Sequence, residues 1–273
     1  MANKTTAVFF PFDQFGGGGA AAGARLLADA FRELLDDNRR EKVATRARCY
    51  AGKVRLHEAA FDDLDALQTW RETGQELVRQ ALARGDFLIW AAGNHLGVLP
   101  VYDELAGRDM LVVQLDAHLD VYNLSDCTKE LSHGNFVRHC ERLPPLINVG
   151  HRELLLRTEY VAKFYRQTFS AAELTIHPDK TLAAIGDACV QPGRVLVDLD
   201  CDVLDPAFFP AVSEAVPFGL TPQMLLRVLA AIGMDRLAGL AISEFQPARD
   251  AADRCLETLM WLLEHVLLAV YER

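Results

Sequence analysis

The sequence predicts an α/β fold in which helices cover both faces of a mostly parallel sheet. Three observations support this: β-branched and aromatic runs alternate with helical patterns, most of these runs are continuously apolar, and no repeat or linker interrupts the chain. A strand that is covered on both faces is expected to be apolar throughout. The 273 residues are enough to bury a large core, and we expect one domain, residues 1–273.

Each predicted strand is a short apolar run, and each predicted helix has apolar residues spaced three or four positions apart. The strands are expected at 6–10, 87–91, 111–115, 146–149, 195–199 and 237–242. The helices are expected at 21–35, 70–83, 160–166, 222–232 and 251–270. The fourth helix has the clearest start, because Thr221 can cap it and Pro222 fits its first turn. Such alternation is typical of a parallel sheet.

Composition excludes several classes of protein. Hydrophobic residues make up 51% of the chain and charged residues 24%, as in globular enzymes. The net charge of −10 argues against binding to the phosphate backbone of nucleic acids, and no apolar run is long enough to span a bilayer. The six cysteines are scattered without a Cys-x-x-Cys pair, and the first residues do not resemble a signal peptide. We therefore expect a cytoplasmic protein with reduced thiols.

Four consecutive glycines, at 16–19, lie between the first predicted strand and the first predicted helix. A phosphate cradle can form at such a place. However, no Gly-Lys-Ser/Thr follows and no Gly-x-Gly-x-x-Gly occurs, so we interpret the run as a flexible turn.

Acids and histidines concentrate where three predicted strands end, which is the edge where open α/β sheets bind ligands. The residues concerned are His95 in the first segment, Asp116, His118 and Asp120 in the second, and Asp198, Asp200, Asp202 and Asp205 in the third. Positions 116, 118 and 120 are two residues apart, as are 198, 200 and 202. On an extended chain, side chains at this spacing point to the same side. We therefore expect each segment to gather its polar groups.

Carboxylates gathered in an apolar core are costly unless cations neutralise them. Histidine and carboxylate ligands suit Mn²⁺, with Zn²⁺, Fe²⁺ and Co²⁺ as alternatives. More acids converge than one ion needs, so two metal ions are predicted. Paired ions can share a water molecule and lower its pKa toward neutrality. Alone, His95 would be interpreted as a core or capping histidine, and only the other two segments make it a candidate ligand.

These motifs resemble those of the ureohydrolase family, which includes arginases and agmatinases. The resemblance runs from Phe-Pro-Phe-Asp at 10–13 to the last predicted helix. Gly-Asn-His at 93–95 is similar to the family's Gly-Asp-His, and the segment 116–120 matches its Asp-Ala-His-x-Asp. The segment 200–206 matches Asp-x-Asp-x-x-Asp-Pro, and Ser-Glu-Phe-Gln-Pro at 243–247 is similar to a glutamate-bearing strand end. The resemblance implies the three-layer arginase-like fold.

The resemblance also implies two Mn²⁺ ions held by six residues. One ion would be bound by His95, Asp116, Asp120 and Asp200, and the other by Asp116, His118, Asp200 and Asp202. Asp198 stands where the family usually has serine, so we leave it out of the ligand set. Asp205 is expected to order the turn that follows it.

The reaction implied by the resemblance is hydrolysis of a guanidinium group to urea and an amine. Water activated between the metals would attack the guanidinium carbon. Asp120 would orient this water and pass a proton to the leaving amine, and Glu244 would pair with the guanidinium. His133 would act as an acid or base, or contact the substrate. Without the resemblance, Glu244 could equally be a solvated strand end.

The residues that grip free arginine in arginases are replaced here. The corresponding positions hold Tyr122, Lys129, Leu131 and Leu155, and the family's Thr-Gly-Thr-Pro loop becomes Val-Ser-Glu-Ala at 212–215. We therefore expect free arginine to be a poor substrate. We favour an arginine side chain within a peptide, which would become ornithine, over agmatine, a guanidino acid or free arginine. Tyr122, Lys129 and Glu244 are the candidate substrate contacts.

Two other classes of function stay open. A deacetylase of the histone-deacetylase type shares the α/β architecture but holds one zinc ion, so counting metals would reveal it. A non-catalytic relative could use the fold as a binding module, but all six expected ligand positions are filled here. A homo-oligomer is implied by the resemblance alone. The role of Cys201, between two predicted ligands, is left open.

Overall fold

The computed structural model describes residues 2–16, 18–191 and 193–272. Its strands are β1 (Thr5–Phe10), β2 (Val54–Glu58), β3 (Phe87–Ala92), β4 (Met110–Leu115), β5 (Leu146–His151), β6 (Gln167–Ser170), β7 (Arg194–Asp200) and β8 (Leu237–Ser243). They form one sheet in the order β2-β1-β3-β8-β7-β4-β5-β6. Each neighbouring pair is parallel. The predicted sheet is confirmed and is parallel throughout.

Helices cover both faces of this sheet. They are α1 (Ala21–Arg40), α2 (Leu64–Gln68), α3 (Trp70–Ala83), α4 (Leu99–Leu105), α5 (Thr158–Val161), α6 (Ala171–Ile176), α7 (Pro178–Ala188), α8 (Pro222–Ile232) and α9 (Arg254–Tyr271). One apolar layer contains buried side chains of α1 and α9, such as Phe31 and Leu263, and the other contains Val78 of α3 and Val101 of α4. The three-layer prediction is thus confirmed. Across the described residues, no helix combines the length and apolar character needed to cross a bilayer.

The two edge strands, β2 and β6, are absent from the sequence prediction. The side chains of β2 are partly or fully exposed, and β6 has only four residues. Our criterion was a continuous apolar run, which identifies strands covered on both faces and misses strands at an edge. Four helices, α2, α4, α6 and α7, are also missed. Of these, α4 is buried almost all round, so it lacks the polar face that marks an amphipathic helix.

The prediction of a helix at 160–166 is wrong beyond Val161, where α5 ends. Tyr165 is buried and donates its hydroxyl to Gln114 Oε1 at 2.6 Å, so this side chain holds the segment as a turn that leads into β6. The last helix begins at Arg254 rather than at 251. Ala252 and Asp253 have φ angles of 57° and 55°, in the left-handed region, and a right-handed helix cannot include them.

The glycine run forms the connection between β1 and α1, and Gly17 lies outside the described residues. Gly19 has a φ of 119°, and its N–H donates to Asp13 Oδ2 at 2.6 Å. Gly16 lies against His133, so closely that an added Cβ would come within 2.5 Å of the imidazole. The described glycines, Gly16, Gly18 and Gly19, belong to an irregular connection without regular structure, and Gly16 packs against a candidate site residue.

Candidate metal centre

The central strands β3, β4 and β7 end at the same edge of the sheet and deliver the predicted ligands there. Asp116 follows β4 directly, Asp200 is the last residue of β7, and His95 lies in the turn after β3. This turn packs tightly on the segment that follows β1, because an added Cβ at Gly93 would lie 2.2 Å from Phe12 O. The side chains of His95, Asp116 and Asp200 are therefore brought together beneath the protein surface, at 2% exposure or less.

The segments that follow β4 and β7 are not extended, so alternation of side chains is the wrong reason for their convergence. Residues 116–120 form an irregular segment in which Asp120 has a φ of 48°. Residues Cys201–Val203 form one turn of 3₁₀ helix, with Asp202 at its centre. Between the two aspartates, Cys201 is fully buried in the apolar core, and burial raises the pKa of its thiol well above the usual range.

Backbone N–H groups orient three of the carboxylates by a single oxygen each. Asp116 Oδ1 accepts from His118 N at 2.6 Å, Asp200 Oδ1 accepts from Asp202 N at 3.0 Å, and Asp202 Oδ1 accepts from Ala117 N at 3.1 Å. In each case the second oxygen, Oδ2, stays available to another partner. Carboxylates held in this way are oriented before a ligand arrives.

The first group of donor atoms surrounds His95 Nδ1. This nitrogen lies 2.9 Å from Asp120 Oδ2, 3.1 Å from Asp200 Oδ2 and 3.3 Å from Asp116 Oδ2. Donor atoms of His95, Asp116 and Asp200 all lie within 4.8 Å of one another, which is the spacing that a single ion can span. Four predicted ligands of the first ion thus lie together.

The second group surrounds His118 Nδ1, which lies 2.9 Å from Asp202 Oδ2 and 3.6 Å from Asp116 Oδ1. Donor atoms of these three residues also lie within 4.8 Å of one another. Asp116 therefore contributes one oxygen to each group. The arrangement consists of two adjoining clusters that share a carboxylate, which matches the predicted pair of ions.

The donor atoms fit a metal ion better than they fit one another. His95 Nδ1, Asp116 Oδ2 and Asp120 Oδ2 are buried, yet none has a hydrogen-bond partner among the described residues. In the part of the chain that the structure describes, Asp116, Asp120, Asp200 and Asp202 form ion pairs with histidines only. Buried polar atoms are rarely left without partners, and buried carboxylates without cations are costly. Buried nitrogen and oxygen atoms that lie close together without hydrogen-bond partners therefore indicate a binding site for cations.

The pKa values of the cluster show the same demand for positive charge. Burial, together with the neighbouring Asp116, raises the pKa of Asp120 to about 6. Burial opposes the protonation of His118, but Asp202 and Asp116 raise its pKa to about 12. Bound protons thus supply positive charge that offsets the clustered carboxylates, and divalent cations would neutralise these carboxylates more effectively.

Asp198, left out of the predicted ligand set, supports His95 from behind. Its Oδ2 lies 3.0 Å from His95 Nε2 and accepts a hydrogen bond from Tyr102 Oη at 2.7 Å. Asp198 and Tyr102 are completely buried, and Phe136 packs against the imidazole with ring centroids 5.0 Å apart. With Nε2 held by a carboxylate, Nδ1 is the nitrogen that faces the cluster. The sequence reasoning missed this role, because the pairing joins residues 103 positions apart.

Glu244 and His133 complete the wall of the cluster. Glu244 follows β8 and is 5% exposed, so the interpretation as a solvated strand end is wrong. Its Oε1 accepts from His95 N at 3.0 Å and lies 3.5 Å from His133 Nδ1. The neighbouring Glu244 raises the pKa of His133 above its ordinary value. The glutamate therefore lies between the first cluster and a partly exposed histidine.

Two residues of the site have a backbone conformation that is unusual for their type. Asp120 and Glu244 have φ angles of 48° and 63°. A non-glycine residue in this region costs about 1–3 kcal/mol and persists only when its surroundings fix it. In this conformation both side chains reach the cluster beside His95. The rest of the fold therefore holds Asp120 and Glu244 in a strained backbone that brings their carboxylates to the site.

Loops form the rim above the cluster. Tyr122 is partly buried, and its ring centroid lies 6.4 Å from that of His118. Burial raises the pKa of Tyr122, and the neighbouring Glu153 raises it further. Lys129 and Leu155 are exposed, Leu155 at 75%. Asp205 orders its turn as predicted, because its two oxygens accept from Ala207 N and Gly219 N. Of the candidate substrate contacts, Tyr122 and Glu244 thus lie near the cluster, whereas Lys129 lies on the exposed loop.

The fold and the site together define a three-layer α/β protein with a histidine and aspartate centre at the carboxyl edge of its sheet. A sequence model described as the arginase family matches residues 4–269. The chain therefore belongs to the arginase family, as its motifs predicted. This assignment covers nearly all of the sequence.

Relatives with known names support the assignment. The chain is 29% identical to an agmatinase of Proteus mirabilis over 71% of this chain and 61% of that protein, and 25% identical to a formimidoylglutamase of Staphylococcus aureus over 91% and 79%. It spans about six tenths of the length of the first curated relatives it matches. The crystal structure of an arginase from Bacillus subtilis has a TM-score of 0.78 and 18% identity, with coverage of 97% of this chain and 98% of that one. This last similarity shows the shared fold.

Proposed function

We propose that this protein is a hydrolase with two Mn²⁺ ions that cleaves a guanidinium group, releasing urea and leaving an amine. One observation carries the proposal: two adjoining groups of histidine and aspartate donors share Asp116, and their unpartnered atoms face one another. The agmatinase among its relatives and the similarity to a structure described as an agmatine ureohydrolase support guanidine as the reacting group.

His95, Asp116, Asp120 and Asp200 would hold one ion, and Asp116, His118, Asp200 and Asp202 the other. Mixed imidazole and carboxylate ligands suit Mn²⁺, with Zn²⁺, Fe²⁺ and Co²⁺ as alternatives. When bound, paired ions supply a water molecule whose pKa is lowered toward neutrality. The buried walls exclude bulk water from this point, and Asp198 holds His95 in the tautomer that presents Nδ1.

Three side chains would act on the substrate. Glu244 presents a buried carboxylate, and a planar guanidinium offers donors that pair well with it. Asp120 lies beside His95 and would orient the attacking water and then pass its proton to the leaving amine. His133, 3.5 Å from Glu244, is partly exposed and can contact the substrate or transfer a proton at the mouth of the site.

The substrate that we favour is an arginine side chain within a peptide, which would become ornithine. The exposed Leu155 and the partly buried Tyr122 occupy positions where the resemblance expects groups that bind free arginine. A site without partners for the α-carboxylate and α-amino groups of free arginine gains no binding free energy from these groups. Agmatine or another small guanidino compound is the alternative substrate, because it too lacks this pair of groups or places them elsewhere.

The observed clusters favour this function over the two other classes. A deacetylase with one zinc ion needs only one of the two groups, and the additional donors His95, Asp120 and Asp202 favour two ions. A binding module without catalysis has no need for an acid cluster with buried, unpartnered oxygens. The free cysteines fit a reducing compartment, and we place the protein in the cytoplasm on this ground. Assembly into a homo-oligomer stays a prediction.

The test is urea release from a panel of guanidino compounds by protein loaded with Mn²⁺. We expect an arginine-containing peptide to release urea faster than free arginine does, and mass spectrometry to show ornithine in the peptide. Glu244→Gln is the matched control, because it should keep both metals and lose urea release. Absence of urea from every compound would contradict the hydrolase, and faster turnover of free arginine would contradict the peptide preference.

A further inference from the structure

Glu214 differs from the other acids around the cavity, because it is exposed and they are buried. A cavity of about 20 Å³ above the cluster is lined by His95, His118, Asp120, His133, Asp200, Asp202, Glu214 and Glu244. Of these, only Glu214 belongs to an exposed loop, and within the described parts of the chain it makes no hydrogen bond or ion pair. Its carboxylate is therefore free to meet whatever enters the cavity.

The loop that carries Glu214 is held in place by the three residues that precede it. Val212 is 1% exposed and packs in the core. Ser213 O accepts from Arg249 Nη1 at 3.1 Å, and Ala211 O accepts from Gln246 N at 2.8 Å. An anchored backbone fixes the position of the charge at the rim, so Glu214 can act in selection of the substrate.

A larger groove adjoins the cavity through His133, which lines both. The groove has a volume of about 420 Å³ and is lined by Phe15, Gly16, Tyr122, Cys127, Thr128, Ser132, His133, Gly134 and Asn135. This volume is large enough for the part of a substrate beyond its guanidinium. The described residues that line the groove and the cavity include no lysine or arginine, and Lys129 belongs to neither set. A negative tail would find no lysine or arginine side chain there to pair with.

We propose that Glu214 and this groove select guanidino substrates whose remainder carries no carboxylate. The inference rests on the proposed hydrolysis of a guanidinium group and specifies the class of substrate. The guanidinium would bind at the mouth of the cavity, which Glu244 and Glu214 line, and its neutral or cationic tail would lie in the groove beside Phe15 and Tyr122. A carboxylate on the tail would be repelled by Glu214 and would leave its own hydrogen bonds unpaired.

Agmatine and guanidinobutyrate test this selection, because they have similar lengths and differ in the charge of the tail. Both carry the same guanidinium, so their ratio of kcat/KM isolates the effect of the tail. We expect the wild type to prefer agmatine. Glu214→Gln should reduce this preference roughly fivefold, which is the scale of one charge pair about 4 Å apart in water. The kcat for agmatine should change less than its KM. Glu33→Gln, an exposed acid on α1, is the control and should keep the wild-type ratio.

The same pair of compounds separates failure of this inference from failure of the proposed function. If the wild type releases urea but Glu214→Gln leaves the ratio unchanged, or if the wild type prefers guanidinobutyrate, the role of Glu214 is overturned. If neither compound releases urea, the proposed function fails, and calorimetric binding to the Mn²⁺-loaded protein decides the inference. Tighter binding of agmatine by the wild type, reduced in Glu214→Gln, supports it, and equal binding of both compounds overturns it.

Discussion

The floor and the rim of the site are built in different ways. The floor consists of buried acids and a histidine at the ends of three central strands, and its residues are between 0% and 4% exposed. The rim consists of loop residues such as Tyr122, Lys129 and Glu214, which are partly or fully exposed. The chemistry therefore depends on the sheet, whereas the choice of substrate depends on loops that can change without moving the sheet.

The largest expected effect is on the floor. Asp200→Asn removes a carboxylate that we assign to both ions, so Mn²⁺ affinity should fall by more than about 100-fold, since substitutions outside the ligand set already cost 10–100-fold. Urea release should fall to background. Metal content by atomic emission and urea release check this together. Asp179→Asn, on the exposed surface, is the control, and full metal content in Asp200→Asn would contradict the assignment.

The support behind the floor should have the next largest effect. Asp198→Asn keeps the shape of the side chain but weakens its hold on His95 Nε2, which lies 3.0 Å away. Mn²⁺ affinity should fall by about 10–100-fold, as for other residues that orient metal-bound histidines. Calorimetric titration with Mn²⁺ measures it, and Tyr102→Phe should have a smaller effect in the same direction. Wild-type affinity in Asp198→Asn would show that the contact does not position His95.

A smaller effect is expected where the rim meets the floor. Gly16→Ala would place a Cβ 2.5 Å from the His133 imidazole, so the ring must move. We expect kcat to fall by about tenfold, because small displacements of a catalytic group are costly, while both metals stay bound. Gly18→Ala is the matched control, because an added Cβ there meets no atom within 4 Å. Equal kcat in the two variants would show that the position of the His133 imidazole does not affect the reaction.

The sequence predicts the floor better than the rim for a physical reason. Asp116, His118 and Asp120 are close in the chain and follow a strand that is apolar throughout, so their pattern is visible locally. The contact between Asp198 and His95 depends on which strands are neighbours, and no local pattern records that order. The same applies to Glu244, whose burial depends on the turn after β3.

The rim residues and the edge strands of the sheet are harder to predict from the sequence than the floor. Glu214 has an exposed side chain on an irregular loop, and no local pattern marks it as a residue that lines the cavity. The edge strand β2 alternates apolar Val54 and Leu56 with polar Arg55 and His57, and a criterion of continuous apolarity does not recognise such a strand. The position of Glu214, by contrast, is decided by contacts of its loop with distant parts of the chain, such as the bond from Arg249 to Ser213 O.

We propose above all that the buried donors around His95 and His118 hold two divalent cations that share Asp116 and Asp200. Anomalous diffraction from crystals of the Mn²⁺-loaded protein tests it most directly. We predict two manganese peaks per chain, one beside His95 and one beside His118. A single peak, or manganese bound elsewhere while these acids stay without a cation, would contradict the account.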